Sequence, residues 1–234
     1  KIYAFFVNSQ LNSKFRLFNF NYYLYMTVSA LKTNENSDVL QISTLEGPVF
    51  YIRLGYLELT EPEEIAPEKV FDAEKEEDIV NAGLCFAAER KAEEFLARCE
   101  QCRAGLESKL INRGHDRLYV KKALDYLENR GLLSDKRFAF SWVRSHTSLK
   151  PQGRTRLLSE LCAKGIKSSV AKEVLNDFFS QYEEIDLCRK ALEKAVRNGK
   201  TEEKLLKFMI DSGFSYKMIN EVRESQSEKL SGDC

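Results

Sequence analysis

The pattern of apolar and polar positions changes character once along the chain, near residue 78. Between Thr27 and Leu59 the apolar residues fall in short runs, Val39-Leu40-Gln41-Ile42 and Val49-Phe50-Tyr51-Ile52-Arg53-Leu54, separated by turn material that includes Glu46-Gly47-Pro48. Runs of this length and composition predict strands, here a small hairpin or three-stranded flap. Glu58 to Asp78 is acidic and carries Pro62 and Pro67, which disfavour a continuous helix, so it reads as a linker or helix entrance. After Asp78 the period becomes helical. Ile79, Leu84, Ala88, Ala92, Phe95 and Leu96 form one stripe, predicting a helix over roughly Asp78 to Arg98.

Beyond that helix nothing resembles a strand, and one pattern occurs three times. Leu110-Ile111-Asn112-Arg113-Gly114-His115 is followed by Val120, Ala123 and Leu124; Leu161-Cys162-Ala163-Lys164-Gly165-Ile166 by Val170, Val174 and Leu175; Met209-Ile210-Asp211-Ser212-Gly213-Phe214 by Met218, Ile219 and Val222. Each copy predicts a short helix ended by a glycine in the left-handed conformation, a side chain such as Ile166 or Phe214 covering the turn, and a second helix. A further helix precedes the second and third copies, near Asp135 to Thr147 and Glu183 to Asn198. The expected fold is mainly α: three tandem three-helix repeats in an elongated array after a small N-terminal β hairpin or flap.

The expected boundaries are 26–72 for the β flap and acidic linker, 73–132, 133–180 and 181–227 for the three repeats, and 228–234 for a tail. Residues 1–25, rich in aromatics and Asn and preceding Met26, read as an upstream or disordered extension.

Charge adds a second asymmetry. The net charge is zero, yet residues 26–100 carry 7 basic and 17 acidic side chains, and residues 101–175 carry 16 basic and 7 acidic. The basic block is a candidate contact for a polyanion or an acidic surface, and an ordinary solvated face is the alternative. Charges interrupt every apolar window, which argues against a membrane span. Six scattered cysteines without an export signal predict reduced thiols and a cytoplasmic location. Cys99 and Cys102 form a CxxC, but a second ligand pair for zinc is missing. His115 and His146 have no adjacent nucleophile and acid, and no phosphate loop or dinucleotide fingerprint occurs, so neither an enzyme nor a cofactor is expected.

Gly131-Leu132-Leu133-Ser134-Asp135-Lys136-Arg137-Phe138-Ala139, then Gly153, then Glu160-Leu161-Cys162-Ala163-Lys164-Gly165-Ile166, resembles the RecX family of recombinase regulators. Leu133, Asp135, Arg137, Phe138 and Ala139 match one element of that family's central repeat, and Glu160, Leu161, Lys164, Gly165 and Ile166 match the other. The likeness spans roughly Glu89 to Glu224. In the first repeat Leu106, Lys109 and Leu110 match, while Cys102 stands at a Ser position and Gly105 at a Glu position, which weakens a helix start. Arg154 replaces a Pro after the central glycine. Ser134 or Asp135 suits a helix N-cap, and Phe138 and Trp142 lie one turn apart.

The resemblance implies a non-enzymatic monomer that binds the RecA recombinase filament on DNA, touching single-stranded DNA within it, and limits its activity in recombination and repair. The alternatives are a helix-turn-helix DNA reader and a repeat scaffold for another protein. Contact candidates are Arg113, Lys121, Lys122, Arg130, Lys136, Arg137, Arg144, Lys150, Arg154, Arg156 and Lys164, with the loop pair Arg154 and Arg156 foremost because function concentrates on loops. Tyr119, Tyr126 and Trp142 are nominal base-stacking residues whose helical spacing reads as core.

Overall fold

A computed structural model describes residues 28–33, 38–44 and 49–232, so the 1–25 extension lies outside the described residues. Three strands, β1 (Val28–Thr33), β2 (Val39–Thr44) and β3 (Phe50–Arg53), form an antiparallel sheet in the order β1-β2-β3. Leu40 pairs with Ile52 and Ile42 with Phe50; all four are buried, while Tyr51 between them is exposed. One buried face follows from the two-residue alternation. Nine helices follow among the described residues: α1 (Ala73–Leu96), α2 (Arg103–Ile111), α3 (Arg117–Asn129), α4 (Asp135–Leu149), α5 (Arg154–Ala163), α6 (Ser168–Gln181), α7 (Glu184–Arg197), α8 (Glu202–Asp211) and α9 (Tyr216–Gly232). They make three helix triplets, the repeat fold expected from the recurring glycines.

Backbone contacts divide the chain into two compact units. The first takes in the sheet, α1, residues 106–132 and the segment between sheet and α1; the second takes in Cys99–Gly105 and everything from Leu133 onward. In the first, Val28, Leu40, Ile42, Phe50 and Ile52 share one apolar cluster with Ile79, Ala82, Cys85 and Phe86 of α1. Burial pushes the Cys85 thiol up to about 11.

The segment from Glu58 to Asp78 is not a linker. Ile65 and Phe71 are buried in the same cluster, as is Tyr56 just before the segment, and Pro62 sits at the start of a single 3-10 turn, Pro62–Glu64. Asp78 accepts the backbone N–H groups of Glu58 (2.9 Å), Leu59 (3.0 Å) and Thr60 (2.8 Å), clasping this segment to α1. Apolar residues placed among the acids, and one carboxylate with three donors, supply what the acidic composition hid. α1 also begins at Ala73, ahead of the expected Asp78. Asp72 caps it by accepting from Lys75 N at 2.9 Å, and Glu74 and Glu76 in the first turn suit the positive end of the helix dipole.

In the second unit Ala139, Val143, Leu157, Leu161, Ile166, Val174, Leu175, Phe178, Cys188, Leu192, Met209, Phe214, Ile219 and Val222 belong to one apolar cluster. The three repeat glycines adopt positive φ: 91° at Gly114, 86° at Gly165 and 91° at Gly213. In each turn the N–H of the following residue donates to the carbonyl five residues back, His115 to Leu110, Ile166 to Leu161 and Phe214 to Met209. This is the hydrogen-bond pattern of a glycine-terminated helix. Ile166 and Phe214 are buried over their turns.

Two of these turns rest on the start of another helix. A Cβ on Gly165 would lie 2.4 Å from the Ala104 Cβ, and one on Gly213 would lie 2.5 Å from the Arg156 N; at Gly114 it would meet nothing within 4 Å. Ala104 and Arg156 are the second and third residues of α2 and α5. Those helix starts also share a cap. Asp135 accepts from Arg103 N and Glu184 from Arg154 N, each at 2.7 Å, so the first residue of α4 caps α2 and the first of α7 caps α5. The Asp135 carboxylate thus supplies the α2 start, where Cys102 stands at a Ser position. α4 itself is capped by Ser134, which accepts from Arg137 N at 3.3 Å. The last helix runs to Gly232, through residues expected to form a tail, since neither Gly nor Pro interrupts Met218 to Ser231.

Candidate partner-binding surface

The basic side chains singled out above occupy three kinds of place. Some are engaged in ion pairs. Lys122 donates to Glu58 at 2.6 Å; Lys136 reaches from α4 to Glu173 (2.6 Å) and Asp177 (3.4 Å) of α6; Arg137 donates to Glu100 at 2.8 Å. Arg154 donates to Asn176 at 2.6 Å and lies over the Phe179 ring at 4.7 Å, while Arg156 donates to Glu160 at 2.9 Å within α5. Lys136, Arg137, Arg154 and Arg156 remain between two-fifths and just over half exposed. Pairs in that setting contribute only about 0–1 kcal/mol, so a partner's anion can take them over at little cost.

Others are exposed to solvent. Lys121 and Arg144 sit on the outer faces of α3 and α4, and Arg130 and Lys150 are the residues that end those helices. A cation at a helix C-terminus is favoured by the dipole. Two more lie against aromatic rings: Arg113 is 5.6 Å from the centre of the Phe95 ring, and Lys164 is 5.0 Å from that of Trp142.

The structure brings Arg156 and Lys164 together through side chains that the sequence did not advertise. Arg156 lies in the first turn of α5 and Lys164 ends that helix, and between them Glu160 accepts from Arg156 and from the buried amide of Gln152 at 3.1 Å. Gln152 in turn holds the His146 ring at 2.7 Å, and that ring stacks on Trp142 with centroids 4.3 Å apart. Burial pushes the Glu160 carboxyl up, but the Gln152 and Arg156 donors and the neighbouring His146 outweigh it and hold the group below its ordinary value. The result is a half-exposed indole flanked by Lys164 and His146, with Arg156 at the far edge. Trp142 is therefore only partly core; it packs on the apolar cluster with one side and supports this surface with the other.

Tyr119 and Tyr126 do pack on the first unit's core, as their spacing predicts. Tyr119 donates to Asn81 at 2.7 Å, and the Tyr126 ring lies 4.4 Å from the Arg53 guanidinium. His115 lies in the Gly114 turn, where burial, then the nearby Lys91, lowers its pKa. Phe95, expected in the apolar stripe of α1, is half-exposed and surrounded by cations instead. Cys99 is exposed, whereas Cys102 is buried and donates its thiol to the Lys164 carbonyl at 3.4 Å. Among the described residues no group of three His, Cys, Asp or Glu side chains could hold a metal ion, and no helix is long and apolar enough to cross a membrane.

Residues 134–175, which span α4, α5 and most of α6, match the family model for the RecX second three-helix domain. The regulatory protein RecX of Treponema pallidum (strain Nichols) is 35% identical over 115 residues, 49% of this chain and 70% of the relative. That of Chlorobaculum tepidum is 35% identical over 125 residues, 51% of this chain and 76% of the relative. A crystal structure of a regulatory protein RecX superposes with a TM-score of 0.67 at 18% identity, covering 85% of this chain and 99% of that one. RecX from Lactobacillus salivarius gives 0.52 at 22% identity, over 61% of this chain and 96% of that one.

Proposed function

The chain belongs to the RecX family of regulatory proteins, and from that premise we propose that it binds the RecA recombinase filament assembled on DNA and limits its activity in recombination and repair. It acts by occupancy, as an intracellular monomer without catalysis. The observation that carries this reading is the second repeat. The segment that matches the family, residues 134–175, is also the one that carries Arg144, Lys150, Arg154, Arg156 and Lys164, the last of them against a half-exposed Trp142. Its α5 start is held by Gly213 and Glu184, so Arg154 and Arg156 project from a preorganised backbone. Preorganisation lowers the ordering cost of binding, and several modest contacts on one rigid element add up through effective concentration.

The test is the ATPase of the recombinase on single-stranded DNA, titrated with the protein and with an Arg154→Ala/Arg156→Ala variant. The protein suppresses turnover, and the variant needs about tenfold more for the same effect, the equivalent of roughly 1.4 kcal/mol. Gly213 rests on the Arg156 backbone, which alanine retains, so the variant keeps that packing. Unchanged turnover together with no binding to filaments would overturn the reading. Sequence-selective binding to free duplex would favour a direct DNA reader instead.

A further inference from the structure

The two cysteines that precede α2 have no part in the function proposed above. Cys102 and Gly105 stand where the family has Ser and Glu, the two members of a capping box. The two departures meet in space. A Cβ on Gly105 would lie 3.1 Å from the Cys102 sulfur, so the glycine leaves the room that the larger atom takes. Capping has passed to Asp135, which accepts from Arg103 N at 2.7 Å. Cys102 is thereby released from holding the helix start, and its buried thiol donates to the Lys164 carbonyl, at the end of α5, at 3.4 Å. Lys164 in turn places its ammonium 5.0 Å from the centre of the Trp142 ring.

Cys99 completes the pair from the solvent side. It is exposed, and Gln101 folds back on it, donating to its sulfur at 2.9 Å and to its carbonyl at 3.4 Å. Residues 97–102 form neither helix nor strand, so local torsions alone can bring the pair to the Cα separation of about 4.4–6.8 Å that a disulfide accepts. An exposed thiol three residues from a buried one is the arrangement in which an oxidant from solvent takes the first and the second resolves it.

We propose that Cys99 and Cys102 form a reversible intrachain disulfide in response to hydrogen peroxide, and that this bond frees the Lys164 carbonyl at the end of α5. The Cys99 thiolate attacks one peroxide oxygen, the O–O bond breaks, the departing oxygen is protonated to water, and Cys99 becomes a sulfenic acid. The Cys102 sulfur then attacks the Cys99 sulfur, its proton goes to the leaving hydroxyl, and a second water departs as the S–S bond forms. Two thiols lose two hydrogens, and one peroxide is reduced to two waters. The S–H that donated to Lys164 no longer exists, whichever way the sulfur turns. A small dithiol reverses the bond by exchange.

In the experiment the full chain, without recombinase, is treated with hydrogen peroxide, alkylated, digested with trypsin and weighed. Cleavage after Arg98 and Arg103 isolates both cysteines in the peptide Cys99–Arg103. The expected peptide is two hydrogens lighter than the reduced one and carries no alkyl group; dithiothreitol before alkylation gives the doubly alkylated peptide back. Cys102→Ser, which restores a capping hydroxyl, stops at a sulfenic acid on Cys99 that dimedone traps, and Cys99→Ser leaves Cys102 reduced over the same interval. The emission of Trp142, the one tryptophan of the chain, shifts as the disulfide forms, returns with dithiothreitol, and stays constant in both variants. A fully alkylated peptide after peroxide, a sulfinic acid at Cys99, or linkage of either cysteine to Cys162 or to a second chain would overturn the disulfide. Disulfide formation with unchanged Trp142 emission would overturn its coupling to the end of α5. Recombinase enters none of these readings, so failure here is distinct from failure of the function proposed above.

Discussion

The two units are held by different means. In the first, a charge network lies inside. Glu89 of α1 is fully buried and accepts from Arg53 Nε at 2.9 Å, from Arg53 Nη2, and from the Tyr56 hydroxyl at 2.8 Å. Arg53 also reaches Asp38 and is covered by the Tyr126 and Phe86 rings. The Glu89 carboxylate is the main cause that raises the guanidinium's already high pKa, and burial raises that of Tyr56. In the second unit the ion pairs of Lys136, Arg137, Arg154 and Arg156 lie at the surface, one apolar cluster fills most of the interior, and what recurs is a glycine turn laid on a helix start. The contrast teaches that one fold uses two kinds of specificity. Directional polar bonds fix a sheet against a helix, and backbone closeness fixes helix against helix.

The sharpest way to break this contrast is Glu89→Ala. Removing one partner strands a buried guanidinium, which costs about 3–5 kcal/mol. Urea unfolding followed by hydrogen exchange shows the loss in the sheet and α1, with protection in α4 to α7 retained. A cost below about 1 kcal/mol, the size of an exposed pair, means that the network does not hold the unit.

Next in size are the glycines of the second unit. Gly213→Ala combines positive-φ strain with overlap on the Arg156 N and costs about 2–4 kcal/mol. Gly114→Ala meets open space and costs only about 1 kcal/mol for the strain. Equal losses of melting temperature in the two variants would show that seating adds nothing to conformation.

The smallest effect concerns Asp78. Burial raises its pKa, but three backbone donors outweigh it and hold the carboxyl below its ordinary value. The folded state therefore binds this proton less readily than the unfolded chain. The stabilisation is complete above the unfolded value of about 3.9 and is lost as pH falls through the lower folded value. Asp78→Asn costs about 1–2 kcal/mol at neutral pH, as expected for hydrogen bonds to a charged group. It also flattens the acid limb of melting temperature against pH; an unaltered limb would assign acid sensitivity elsewhere.

How far the sequence could be read follows the same division. The repeat glycines, the Ser134 cap and the covers Ile166 and Phe214 are local signals, complete within a few residues, and all appear in the structure where they were expected. The acidic segment before α1 read only as a linker or helix entrance because its partners are distant: the donors to Asp78 are 18 to 20 residues away. The Arg53 and Glu89 pair spans 36 residues. Lys164 facing Trp142, and Phe95 ringed by cations, needed two helices brought together. A positive block in the sequence marked the region but not which cations share a ring.

By itself the sequence determined the helical repeat and its turns, because periodicity and a left-handed glycine act within a single helix pair, and its second-repeat motifs carried the resemblance to the family. Only the tertiary structure decided which charges are buried, which helix start lies under which glycine, and which cations meet at Trp142 and at Phe95. Those outcomes depend on which residues the fold brings together, because Coulomb energy and steric contact follow separation in space and desolvation follows burial.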